Sequence, residues 1–253
     1  MIAITREVSP TINRCELSFH ERKPIDVNKA IVQHQAYHEC LQRLGVRVIS
    51  LPAIADLPDS VFVEDTAVIV DEVAILTRMG APSRRPESAA LDETISRYRS
   101  VKVMTEPATL DGGDVLRIGR QIYVGKTQRT NLDGIEQLRE ILRPHGYTIE
   151  PVEIQNCLHL KSGCSYLAKN TVLVNPAWID AALFRGFDVI NVDPDEPGAA
   201  NTLMLNDVVI MPDCFPKTVS LLENCGFKVE TLDVSELQKA EAGVTCCSLI
   251  FKT

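Results

Sequence analysis

Cys246 and Cys247 stand side by side at the entry to an apolar run, Ser248-Leu249-Ile250-Phe251, close to the C-terminus. Packing alone is a weak reason for paired thiols there, and three earlier segments suggest another. Asp59-Ser60-Val61-Phe62-Val63-Glu64-Asp65, Leu110-Asp111-Gly112-Gly113-Asp114 and Leu158-His159-Leu160-Lys161-Ser162-Gly163-Cys164 put carboxylates, a histidine and another thiol just ahead of strand-like runs. If those runs are equivalent parts of a repeated unit, the reactive groups all arrive at one place.

The chemistry such a group could do is nucleophilic. A thiolate attacks a planar electrophilic carbon, and a histidine moves protons to the leaving amine and from the incoming water. Asp111 is the candidate to orient the imidazole of His159. The adjoining Gly112 and Gly113 allow close backbone approach. On a strand, Cys246 and Cys247 alternate in direction, so one faces the site and the other packs outward. Asp59, Glu64 and Asp65 call for a cation, because Glu64 and Asp65 interrupt an apolar run where an unpaired charge is costly. A guanidinium offers carboxylates a planar fork of donors. Arg84 and Arg129, in loops, could each clamp a carboxylate. Singly, every one of these residues also has a structural reading, as a buried thiol, a packed histidine or half of a salt bridge. Their recurrence at matched positions favours chemistry.

Positioning them requires a repeat, and the chain contains one. Val61–Val70 turns at Asp71-Glu72 into Val73–Thr77, a helical spacing covers Glu87–Arg99, and Val101–Met104 resumes as a strand. The order strand, strand, helix, strand returns from Asp114, from Cys164 and from Asn201, with turns at Gly119-Arg120, Lys169-Asn170 and Asn206-Asp207. The helices of these copies are expected near Leu132–Pro144, Ile179–Phe184 and Lys217–Cys225. A fifth copy joins the C-terminal strand Cys247–Lys252 to Ile2–Arg6, the helix Val27–Leu44 and Val46–Leu51. Units of about 35–50 residues that cannot bury a face alone close on one another. The expected fold is therefore α/β, a ring of five units closed by both termini in one blade. The alternative is an ordinary α/β layer sandwich. In a ring, the loop before each unit's first strand opens on one face near the axis, and only the loop Pro197–Ala200 carries no reactive group.

Composition sets the outer bounds. The 253 residues carry a net charge of −8, and no basic stripe is present to meet phosphates, which argues against nucleic acid. No segment approaches a membrane span. Eight cysteines without a signal peptide fit a reduced cytoplasmic protein better than a disulfide scaffold.

Six motifs, in order along nearly the whole chain, resemble the dimethylarginine dimethylaminohydrolase family. They are Pro58–Asp65, Gly80–Arg85, Thr109–Leu116, Arg129–Asn131, Leu158–Ser162 and Thr245–Ser248. The resemblance implies one pentein domain over residues 1–253, a five-bladed β/α-propeller. It further implies hydrolysis of Nω-methylated arginine to citrulline and a methylated amine through a cysteine thiouronium intermediate. By motif position Cys246 is the nucleophile, His159 the acid and base, and Asp111 its partner. Asp59, Glu64 and Asp65 hold the guanidinium side, Arg84 and Arg129 the α-carboxylate, and Leu17 the α-amine through its backbone oxygen. Glu241 stands where the animal enzymes have Asp and belongs to the pocket wall. Asp111 fills a place that related deiminases give to Glu, so a shifted histidine must meet its shorter side chain.

The partner implied is a small guanidino amino acid, with no nucleic acid or membrane, and the assembly a monomer or homodimer. No cofactor is expected, and zinc should at most inhibit by capturing Cys246 and His159. Two other functions stay open. Arginine deimination, or hydrolysis of another guanidino compound, uses the same groups, although arginine deiminases usually carry an added helical module for which this chain has no room. A binding protein holding zinc on Cys246, His159 and Asp111 is the other, but it leaves the acids and arginines unexplained.

Overall fold

In the computed structural model, which describes residues 1–252, fifteen strands form five three-stranded sheets. β1 (Ile2–Arg6) and β2 (Arg47–Leu51) run parallel. The next sheets are β3 to β5 (Ala67–Ile69, Val73–Leu76, Ser100–Val103) and β6 to β8 (Val115–Ile118, Gln121–Lys126, Thr148–Glu153). They are followed by β9 to β11 (Cys164–Ala168, Thr171–Val174, Asp188–Asn191) and β12 to β14 (Leu203–Leu205, Val208–Pro212, Lys228–Leu232). The last strand, β15 (Leu249–Phe251), pairs antiparallel with β1, so the chain's two ends share one sheet. Four sheets each have one hairpin and one parallel crossover, and in the fifth the β1–β15 pair stands in for the hairpin, as the repeat requires. Tight turns supply the left-handed residues: Lys169 and Asn170 have φ of 49° and 62°, Asn206 and Asp207 of 46° and 65°. These suit the twist of two-residue hairpins.

Closure of the ring is visible at its axis. Val68, Leu116, Tyr166, Met204 and Ile250, one from each of β3, β6, β9, β12 and β15, line a single channel of about 460 Å³. The architecture is the five-bladed α/β propeller. Helices fill the outer gaps: Val27–Arg43, capped by the Asp26 side chain on Lys29 N, turns Ala30, Tyr37 and Leu41 into the core. Leu132–Leu142 is capped by Asn131 and buries Ile135 and Leu138.

Four local expectations change. The helical spacing over Glu87–Arg99 becomes two single-turn helices, Pro86–Ala89 and Asp92–Ile95. Glu87, drawn inward by Arg84, and Leu91 and Ile95, which reach the apolar core, are spaced four apart, so the inward face that the spacing predicts is kept although the helix breaks at Ala90-Leu91. Residues Ala181–Phe184 form a 3-10 helix, started by the Asp180 carboxylate. The run Val61–Val70 is a strand only over Ala67–Ile69, because Val63–Thr66 coils into a 3-10 turn. Cys246 and Cys247 lie in a turn, and the strand begins at Leu249.

His34 and His38, one turn apart on the first helix, are buried edge to face with ring centroids 4.3 Å apart. Their Nε2 atoms find no hydrogen-bond partner among the described residues. Burial pulls His34 down to about 3, with His38 adding to the effect. The unfolded chain therefore takes up this proton first. The stability that neutral His34 provides is complete above about pH 6.5 and is lost as pH falls toward 3, by on the order of 4 kcal/mol. Denaturant midpoints measured from pH 7 to pH 4 should fall steadily, and His34→Leu should flatten that slope. A slope unchanged in His34→Leu would contradict this.

Candidate active site

The loops that precede β3, β6, β9 and β15 meet on one face. His159 is the last residue before a helical turn, Leu160–Gly163, and its imidazole is buried between two carboxylates. Nε2 lies 3.2 Å from Asp111 Oδ2, and Nδ1 lies 3.8 Å from Asp65 Oδ1. The short Asp111 side chain thus reaches the ring directly, and its Oδ1 accepts the Gly80 N–H at 2.8 Å. Burial favours the neutral ring, but Asp65, Asp114 and Asp111 outweigh it and hold His159 up at about 9. Asp65 is driven up by burial and down by His159 and Arg84, ending near 2. The site therefore holds an imidazolium against carboxylates at neutral pH. Gly113 is obligatory here, since a Cβ would stand 2.6 Å from His159 Nδ1 and 2.8 Å from Asp65 Oδ1.

Cys246 is half-buried at the wall of the same cavity, its Sγ accepting the Gly243 N–H at 3.3 Å. Its carbonyl takes the Glu64 N–H at 3.1 Å, which ties the thiol's turn to the acidic loop. Burial, together with Glu64 and Asp65, pushes the thiol up to about 12. Cys247 is 2% exposed and packs in the core with Tyr37 and Val244. The two thiols separate as the alternation argument anticipated, though a turn rather than a strand separates them.

Glu64 does not join the guanidinium side. The 3-10 turn sends it away from Asp65, where Oε1 meets Lys161 Nζ at 2.5 Å and Oε2 accepts the Thr245 hydroxyl at 2.7 Å. Both oxygens are occupied, and the side chain lines the axial channel, not the catalytic cavity. Sequence reasoning missed Lys161, Thr245 and Asn201, whose Nδ2 donates to Thr245 Oγ1 at 3.0 Å. A lysine two residues after His159 was the available signal for a partner to a buried acid.

The two arginines differ. Arg84 is buried, with Nη1 2.8 Å from Asp65 Oδ2, Nε and Nη2 on Glu87, and Nη2 also on the Phe62 carbonyl. Four of its five N–H groups are engaged, so its charge is committed to Asp65 and Glu87 rather than standing free as a clamp. Arg129 is held by Ser18 Oγ through Nη2, while its buried Nη1 has no hydrogen-bond partner among the described residues and lies 4.0 Å from Asp111 Oδ2.

Over the cavity lies the segment Cys15–His20. Asp59, raised by burial, accepts the Glu16 N–H at 3.1 Å. Glu241, in a left-handed conformation with φ of 60°, accepts the N–H groups of Ser18, Phe19 and His20 at 3.0, 2.5 and 2.5 Å. Glu241 lines the catalytic cavity and also latches this lid. Leu17 sits between the two anchors, which fixes the direction of its carbonyl. The cavity lined by Cys246, His159, Asp65, Asp59, Arg84 and Arg129 measures about 20 Å³, room for about one water. The lid has to lift for anything larger to enter.

Among the described residues, the one group able to gather around a metal ion is Asp65, Asp111 and His159. Cys246 is not in it, so the zinc trio of Cys246, His159 and Asp111 is not the grouping found. Those donors are already bonded to one another and to Arg84.

Residues 3–186 match the family model described as "N,N dimethylarginine dimethylhydrolase, eukaryotic". The chain is 39% identical over 236 residues to the N(G),N(G)-dimethylarginine dimethylaminohydrolase of Pseudomonas aeruginosa, covering 92% of each protein. It is also 39% identical over 249 residues to that of Streptomyces coelicolor, covering 98% of this chain and 95% of the relative. A cysteine-to-serine variant of the Pseudomonas enzyme, solved in complex with citrulline, superposes with a TM-score of 0.95 at 36% identity, covering 99% of this chain and 98% of the other. The N-terminal domain of a cyanobacterial arginine dihydrolase has the same fold, with a TM-score of 0.82 at 19% identity.

Proposed function

Because this chain belongs to the dimethylarginine dimethylaminohydrolase family and is an amidine hydrolase, we propose that it cleaves Nω-methylated L-arginine to citrulline and a methylated amine. The nucleophile in this reading is Cys246. The observation that carries it is the closed cavity in which the Cys246 thiol, the His159 imidazolium and the Asp65 carboxylate face one another.

Asp65, held ionised by His159 and Arg84, receives the substrate's guanidinium. Asp59, expected on that side too, holds the lid's Glu16 N–H beside Leu17 and so receives the α-amine together with the Leu17 carbonyl. Arg129, through its unpartnered Nη1, receives the α-carboxylate. The guanidinium brings positive charge beside Sγ and offsets the field of Glu64 and Asp65 that keeps the thiol protonated. The thiol proton passes to solvent, and the thiolate attacks the central guanidinium carbon. His159, already protonated, gives its proton to the departing methylated nitrogen as the C–N bond breaks, leaving a thiouronium on Cys246. The neutral imidazole then takes a proton from a water that attacks the same carbon. Collapse of that adduct breaks the C–S bond and frees citrulline. Asp111 holds the ring through Nε2 during both transfers.

Citrulline release measured over arginine, mono- and asymmetric dimethylarginine and agmatine tests the substrate. Methylated arginines should lead, with methylamine or dimethylamine as the co-product. Preference for arginine with ammonia released would make the chain a deiminase, and no turnover of any would end the reading. Within this panel, Arg129→Ala should raise KM for methylarginine by about tenfold to a hundredfold, the loss of a charge-assisted contact, and leave agmatine binding within about twofold. Arg84→Ala should harm both ligands, because it strands Asp65 and Glu87 without their cation. Equal losses from Arg129→Ala on both ligands would show that it does not read the carboxylate.

A further inference from the structure

Asp114 is wholly buried, yet the catalytic cycle above gives it nothing to do. A buried carboxylate is costly unless it is well hydrogen-bonded, and here it takes three donors from loops that carry functional residues. Oδ1 accepts the N–H of Leu160, the residue after His159, at 3.0 Å. Oδ2 accepts the hydroxyls of Thr127 and Thr130, each at 2.7 Å. A threonine hydroxyl has one proton, so giving it to Asp114 turns the oxygen's lone pairs outward as acceptors. Thr130 Oγ1 takes the Asp111 N–H at 3.1 Å, and Thr127 Oγ1 takes the N–H groups of Arg129 at 3.0 Å and of Thr130 at 3.1 Å. Gly125 leaves the space, since a Cβ there would stand 2.6 Å from Asp114 Oδ1.

We propose that Asp114 is a positioning residue that fixes His159, Asp111 and Arg129 in one frame, with Thr130 transmitting its hold to the catalytic pair and Thr127 to the carboxylate-reading arginine. The inference rests on the proposed roles of His159 and Arg129. It divides the frame into two arms with different kinetic signatures. The Thr127 arm governs the binding of ligands that carry an α-carboxylate. The Thr130 arm governs proton transfer by His159, whatever the substrate.

The test uses Asp114→Asn, Thr127→Val, Thr130→Val and the corresponding serine variants, each with its melting temperature. KM and kcat are measured on methylarginine, with agmatine as substrate or competitive inhibitor. Thr127→Val should raise KM for methylarginine about tenfold and leave agmatine unchanged. Thr130→Val should lower kcat about tenfold with little change in KM. Asp114→Asn should show both effects, and Thr127→Ser and Thr130→Ser should keep wild-type constants because they retain the hydroxyl. A Thr127→Val variant that weakens agmatine as much as methylarginine overturns the proposal. So do valine variants that lose thermal stability but keep wild-type kcat and KM. If the wild-type protein releases no citrulline, the proposed function fails instead. The frame is then read from the His159 ring-proton resonance, which should move in Asp114→Asn and Thr130→Val but not in Thr130→Ser. An unmoved resonance in the first two overturns it.

Discussion

Cys246→Ser should lower citrulline release by at least about 10⁴-fold, the largest effect expected of any single change. The hydroxyl is a far weaker nucleophile than a thiolate at any accessible pH, and the burial and negative field that already hold the thiol near 12 oppose ionising it further. Cys247→Ser is the control. That thiol is sealed in the core beside Tyr37 and Val244, so its loss should leave turnover within a fewfold and show mainly as lower stability. Mass spectrometry of an inactivated protein should place the adduct on Cys246. An active Cys246→Ser protein, or an adduct on Cys247, would reverse the assignment.

His159→Gly should reduce steady-state turnover by roughly 10³- to 10⁴-fold while still permitting attack on substrates with a good leaving group. The first bond needs only a thiolate and an electrophile, but without the imidazole nothing takes the proton from water, so the thiouronium should accumulate. Rapid quench followed by intact-mass measurement should find a stoichiometric adduct that decays slowly. Glycine also leaves Asp65 and Asp111 without the ring that separated them, Arg84 staying on Asp65 and Arg129 4.0 Å from Asp111, so added imidazole should partly restore the rate. Loss of activity with no adduct on any substrate would mean that His159 is needed for attack itself.

Much of this arrangement is legible in the chain because it rests on local rules. Asn206-Asp207 and Lys169-Asn170 declare their turns through left-handed residues, and alternating apolar runs declare the strands they join. Four reactive loops, each just ahead of a first strand, then follow from repetition alone. What stays hidden depends on contacts distant in sequence. Glu64 and Asp65 look like one acidic pair on a strand, but a 3-10 turn sends one to Lys161 and the other to Arg84. Glu241 meets the lid across more than two hundred residues, and no periodicity marks that contact. Arg84 is the intermediate case: its Glu87 partner stands three positions on, a spacing that brings side chains together on a helical turn and that could have been read.

The sheet that joins β1 to β15 has a consequence in time as well as in space. A ribosome delivers Ile2–Arg6 long before Cys246, so the nucleophile has no place to sit until these two distant segments have met. Nascent or prematurely stopped chains are thereby chemically silent, whatever part of the ring they have formed. The same adjacency makes the molecule a natural subject for circular permutation. Joining β15 to β1 and opening the Asn206-Asp207 turn would have Cys246 synthesised early instead, and the permutant would become competent at a different moment of its own synthesis.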